Sequence, residues 1–269
     1  MLRARINGVE LAYELRGSGS LLVMIHGAQG DQTMFSDLAN RFADRFRVLT
    51  FDQRGSGLSE KPHTGYSIAQ LADDTAALMD HVGFAAAHVI GVSMGGTIAQ
   101  ELALRHPGKV RSLILGCTTP GGPKAVRVGS SAFSAAYSTQ AMPAEERGRA
   151  LAEAAFTKSY LEQHPEIIPA MIEARRQRPL DPVALEQRIR AVLAHNAYDR
   201  LPQIMCPSLI ITGKDDALIA WQNSELIAER IPGARLVVLE PAGHCFWLEQ
   251  PPQSYAAISE FLDSVTGQV

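Results

Sequence analysis

The chain has 269 residues, 46% of them apolar and 20% charged, with a formal charge of -3. That balance argues against a disordered chain, and the lack of a basic stripe argues against nucleic acid as a partner. The length suits one compact domain carrying an insertion, or at most two small domains, with a core large enough to need no disulfide or metal for its fold. Cys117, Cys206 and Cys245 are odd in number and widely spaced. They read as buried or partly buried thiols rather than a disulfide framework or a zinc site. The longest early apolar run, Leu21 to Ile25, is too short for a membrane span or a signal-peptide core. The expectation is a cytoplasmic protein with no membrane partner.

From the N-terminus, the first predicted element is a hairpin. Arg3 to Ile6 and Val9 to Leu15 flank Asn7-Gly8, a pair that tolerates the positive φ of a tight two-residue turn. Uninterrupted apolar runs follow at 21–25, 48–51, 88–92, 113–115, 209–212 and 236–239. Strands that are apolar on both faces belong to a sheet covered on both sides. Between them, 32–45, 67–82 and 97–105 carry apolar residues at helical spacing, and the last stops before His106-Pro107-Gly108. The alternation predicts an α/β fold with a mostly parallel central sheet and helices on both faces. It breaks from about Thr118 to Leu201, where helical patterns at 144–156, 165–178 and 182–194 contain no strand. That stretch reads as a helical cap over the sheet's carboxyl edge, where open α/β sheets bind ligands. The expected division is a core of residues 1–118 and 202–269 with a cap of residues 119–201.

The sharpest chemical feature is Gly91-Val92-Ser93-Met94-Gly95-Gly96, between a predicted strand and a predicted helix. So tight a turn forces its middle residue into an unfavourable conformation. The flanking glycines remove Cβ atoms that would collide, and the Ser93 hydroxyl stands clear at a helix N-terminus. A serine needs a base, and the base an orienting carboxylate. His26 and His244 both follow core strands, and His244, in the loop after the last strand, is the better placed; His63, His81, His106, His164 and His195 read as surface residues and His88 as the start of a strand. Asp215 and Asp216 follow Leu209 to Gly213, and Asp216 is the preferred acid. Asp52, beside Gln53-Arg54-Gly55, reads as a loop brace. No His/Cys/Asp cluster has ligand spacing and no phosphate-cradling loop appears, so neither metal nor cofactor is expected.

Together with His26-Gly27, Asp52-Gln53-Arg54-Gly55-Ser56-Gly57-Leu58-Ser59, Gly213-Lys214-Asp215-Asp216 and Gly243-His244, the serine motif resembles the α/β-hydrolase family over nearly the whole chain. The order Ser93, Asp216, His244 is that family's order of nucleophile, acid and base. The run from Tyr66 to Cys117 is most similar to esterases and 3-oxoadipate enol-lactonases. The resemblance implies an oxyanion hole from the backbone N–H groups of Ala28 and Met94, and a small-molecule ester or lactone as substrate. A serine nucleophile argues against relatives that form alkyl-enzyme esters. Carbon–carbon bond hydrolysis or perhydrolysis on the same triad, and a hydrolase-fold receptor for a small ligand, stay open as alternatives. Met34, Phe35, Trp221 and Phe246 are the expected pocket residues. Among the cap arginines Arg147, Arg149, Arg175, Arg176 and Arg178, a carboxylated lactone would need one facing inward.

Overall fold

The computed structural model describes residues 1–129, 138 and 142–266. Residues 130–137 and 139–141 of the expected cap lie outside the described residues. β1 (Leu2–Ile6) and β2 (Val9–Arg16) form the hairpin, with Ile6 opposite Val9 and positive φ at both Asn7 (45°) and Gly8 (84°). β3 (Leu21–Ile25), β4 (Arg47–Phe51), β5 (Ala87–Val92), β6 (Val110–Gly116), β7 (Ser208–Gly213) and β8 (Arg235–Leu239) complete an eight-stranded sheet. Its order is β1-β2-β4-β3-β5-β6-β7-β8, and every pair from β4 onward is parallel.

The unalternated strands are buried on both faces for a reason visible in β3. Leu21, Val23 and Ile25 join one apolar cluster and Leu22 and Met24 the other. The first cluster also takes residues of α2 (Ile68–His81) and α3 (Met94–Arg105); the second takes residues of α1 (Ser36–Phe42) and of α10 (Pro251–Thr266). Each fully buried Leu, Ile or Val contributes roughly 1.5–3 kcal/mol, so two such layers hold the sheet without cross-links. α3 begins at Met94, so Ser93 stands directly at its N-terminus as the serine motif implies, and Gly95 and Gly96 serve close packing rather than interrupting the helix. His195, expected on the surface, is buried, with Nδ1 3.5 Å from Glu101.

Between β6 and β7 run α4 (Ala144–Ala155), α5 (Lys158–Gln163), α6 (Ile167–Gln177) and α7 (Pro182–Ala194). A β-bridge between Gly121 and Asn196, with Ala197 N–H donating to Pro120 O (2.8 Å), ties the two ends of this insertion together. α4 and α6 pack closely at Gly148, where a Cβ would stand 2.8 Å from Ile172 Cα. After β7, α8 (Gln222–Arg230) and the short α9 (Phe246–Glu249) precede α10. β3 and β5 are neighbours whose connections leave in opposite directions, so the sheet's crevice opens at their carboxyl ends. Among the described residues no helix is long and apolar enough to cross a membrane.

Candidate active site

Ser93 follows β5 at φ 58° and ψ -122°, a conformation an L-residue adopts only under constraint. The constraint is visible around it. A Cβ on Gly91 would strike the Gly95 carbonyl, one on Gly95 would strike the Ile25 carbonyl, and one on Gly96 would stand 2.5 Å from Thr118 Cβ. Ser93 N–H donates to Gly116 O (2.9 Å), and Ser93 O accepts from Gly96 N–H (2.9 Å) and Thr118 Oγ1 (2.7 Å). Glycines on both sides of the serine therefore let strand and helix approach until the turn has one geometry. Met94 is the first residue of α3, so its N–H has no helical carbonyl to meet.

His244 and Asp216 arrive from the loops after β8 and β7. His244 Nδ1 lies 2.7 Å from Asp216 Oδ2, with both side chains almost wholly buried. Asp216 Oδ1 accepts the N–H groups of Leu218 (2.8 Å) and Ile219 (2.9 Å), which fixes the carboxylate plane. Asp215, the other candidate, does not share this arrangement; its N–H donates to Ala242 O. Cys117, with φ 41°, brings its thiol within 4.8 Å of the Asp216 and His244 side-chain donors. Sequence spacing concealed this cluster of three possible metal donors. Its atoms are already engaged: Asp216 by imidazole and amides, and Cys117 as a protonated thiol, since burial pushes its pKa well up. Among the described residues no hydrogen bond joins Ser93 Oγ to His244; both face one cavity. Such a contact commonly tightens only around substrate.

The loops beneath are braced by buried polar groups. Asp52 accepts the N–H groups of Gln32 (2.8 Å) and Leu58 (2.7 Å). The neighbouring arginine pairs elsewhere: Arg54 Nη2 donates to Asp74 at 2.7 Å. His26 Nδ1 lies 2.8 Å from Gly27 O and Nε2 3.1 Å from Ser56 Oγ, and burial lowers its pKa, holding it neutral. His26 thus secures the loop that carries Gly27 and Ala28. A Cβ on Gly27 would meet Ser93 Cβ at 3.2 Å, so Ala28 is carried to the serine's side.

Two chambers meet at Ser93 and share Ala28 and Leu218 in their walls. The first, about 360 Å³, is walled by Met94 and by apolar residues including Val126, Ile189, Val192 and Ile219. The second, about 680 Å³, holds His244, Met34, Phe156, Met171, Arg175 and Trp247. Of the four expected pocket residues, only Met34 faces a chamber. Phe35, one residue on, turns into the core and is fully buried. Phe246 packs under the sheet against Gly116, and its neighbour Trp247 takes the wall position. Trp221 lies outside both chambers with Lys214 Nζ 3.3 Å from its ring centroid, because Leu218 and Ile219 reach the cavity first. Arg188 was not anticipated. Its one sequence signal is a charge on the apolar face of α7, in step with Ala184, Leu185 and Ala191.

Residues 20–251 match the family model described as alpha/beta hydrolase fold, and the chain belongs to that family. A putative carbamate hydrolase, RutD, from Caulobacter sp. (strain K31) is 29% identical over 260 residues, covering 90% of each chain. The enol-lactonase from Burkholderia xenovorans LB400 is similar in structure, with a TM-score of 0.87 at 27% identity over 97% of this chain and 100% of that one. A thermophilic esterase from Thermogutta terrifontis gives a TM-score of 0.82 at 29% identity, covering 98% and 99%. The chain is thus a hydrolase by family.

Proposed function

We propose that this protein is a serine hydrolase that cleaves carboxylic esters or lactones through an acyl-enzyme, with residues 119–201 acting as a cap over the site. The observation that carries this reading is Ser93 at φ 58°, lifted over a cavity onto which the Asp216-bound His244 also opens. The enol-lactonase and esterase among the similar structures support the substrate class. Ser93 Oγ attacks the carbonyl carbon as His244 Nε2 takes its proton. Asp216, bonded to Nδ1, sets the tautomer that leaves Nε2 free to accept, and stabilises the imidazolium. The N–H groups of Ala28 and Met94 receive the oxyanion, each donor worth roughly 10²–10³ in rate. The C–O bond then breaks, His244 returns the proton to the leaving alkoxide, and water repeats the sequence to free Ser93. Two chambers meeting at Ser93 suit a reaction that must hold an acyl group and a leaving group apart.

A fluorophosphonate probe should label Ser93, and Ser93→Ala should lower kcat/KM on short acyl esters by roughly 10⁴-fold or more with the circular dichroism unchanged. Wild-type activity in that variant, or labelling elsewhere, rejects the mechanism. Turnover of a vinylogous diketone but of no ester or lactone would move the assignment to carbon–carbon hydrolysis.

A further inference from the structure

Arg175, on α6, projects into the second chamber, the one that holds His244. Its Nη2 donates to Gln29 O (3.1 Å), one residue from Ala28, and its Nη1 to Arg178 O (3.5 Å). A guanidinium has five N–H groups; those two bonds use two, leaving three, and the buried Nε–H has no acceptor among the described residues. No carboxylate among the described residues lies within ion-pair distance of Arg175. Residues 130–141 contain no Asp or Glu that could serve. The other charges on this wall are already met or in water. Arg178 pairs with Asp31 at 3.1 Å, Asp31 also accepts Thr33 N–H (2.9 Å), and Asp37 is exposed at the mouth. Arg188, near Arg175 on α7, is wholly enclosed, and among the described residues none of its three guanidinium nitrogens has a partner. A second positive charge thus stands near the first, and among the described residues no carboxylate forms an ion pair with either, although Asp31 acts on Arg175 and Asp52 and Asp181 on Arg188 from a distance. A lone enclosed cation is costly, by several kcal/mol after relaxation.

We propose that the substrate carries a carboxylate besides its scissile ester or lactone bond, and that Arg175 receives that carboxylate through its unused N–H edge, with Arg188 reinforcing the positive field. This rests on the hydrolase reading above. The side-on edge of a guanidinium matches a carboxylate with two parallel hydrogen bonds. Its anchorage to Gln29 O sets the bound anion at a fixed offset from the loop that carries Ala28. Arg175 is thus a specificity-determining residue, and the apolar first chamber takes the uncharged end of the molecule.

The test uses matched pairs of esters, each a free carboxylate against its methyl ester. One pair carries the group on the acyl side and the other on the alcohol side. Wild type should favour the free acid in kcat/KM by tenfold or more in at least one pair. Arg175→Met should lower that ratio by roughly 10–100-fold, the range of a charge-assisted hydrogen bond, and Arg175→Lys should keep part of it. Arg127→Met removes the exposed cation that lines the first chamber, tests that rival position for the carboxylate, and should leave the ratio within about twofold of wild type. Equal use of acid and methyl ester by wild type in both pairs overturns the proposal. So does a ratio that survives Arg175→Met, or one that collapses in Arg127→Met instead. Glutarate binding to the Ser93→Ala protein, measured by calorimetry with and without Arg175→Met, reads the same subsite without turnover. Binding lost on Arg175→Met upholds the carboxylate site even if no ester is cleaved, which would sink only the hydrolytic reading. Glutarate binding equally to both proteins overturns it.

Discussion

Arg54, beneath the sheet edge, and Arg188, in the helical insertion, are both removed from water at 4% and 0% exposure, and their surroundings could hardly differ more. Arg54 lies against Asp74 through Nε and Nη2, and Asp74 also takes the Asn7 side-chain amide at 3.0 Å. Arg188 has an enclosing wall and, among the described residues, no acceptor, and burial pushes its pKa down to about 10. The core therefore uses buried polar and charged groups as bracing: Asp52 takes backbone N–H groups, Arg54 pairs with Asp74, and neutral His26 meets Gly27 O and Ser56 Oγ, which braces the loops that carry the site. The insertion instead keeps charge unmatched within the chain. Selection for stability alone would not retain such a residue, since a well-packed apolar side chain in its place is neutral or stabilising.

The largest expected effect breaks the core side of this contrast. Asp74→Ala leaves Arg54 enclosed without its partner and should cost about 3–5 kcal/mol, read as a fall in the urea midpoint at constant slope. A cost below about 1 kcal/mol would mean that Arg54 relaxes into water, and the contrast would lose its core example.

Acid should act on both regions at once. His88, in β5 and 2.8 Å from Ser112 Oγ, and His195, at the base of the insertion, both have pKa values lowered by burial to about 4. The unfolded chain binds these protons as pH falls through about 6.5, whereas the folded chain resists until near 4. Stability is thus fully present above pH 6.5 and is lost as pH falls toward 4, by at most about 3 kcal/mol per histidine. Denaturation midpoints at pH 7.5 and 5 should show the loss. His88→Gln and His195→Gln should each flatten the profile, and an unchanged slope in either variant assigns that histidine no part in it.

Arg188→Met carries the smallest expected effect and the opposite sign. It should stabilise the ligand-free protein by about 1 kcal/mol, since it removes an enclosed unpaired charge. Destabilisation instead would mean that the insertion satisfies its arginine as the core does.

Much of the fold was legible because its signals are local. Unalternated apolar runs named six strands, Asn7-Gly8 named the turn, and the glycines around Ser93 named the bend. α10 carries a helical signal of its own, with Ala257, Ile258, Phe261 and Leu262 on one face, whereas α5 is only six residues long and buries none of them. The pocket was the least legible part. Met34 and Phe35 are adjacent and both apolar, and only their packing against Trp247 and the sheet sends one to the cavity and the other to the core.

By itself, the amino-acid order determined which segments form the sheet and where a serine is forced out of it, since both follow from sterics and hydrophobicity within a few residues. Tertiary structure alone decided that the Cys117 thiol lies beside the pair of His244 and Asp216, 28 positions apart, and that Arg175 and Arg188 face inward rather than toward solvent. Those are contacts between distant segments, and their geometry is set by how helices and loops pack over the sheet, not by the neighbours of any one residue.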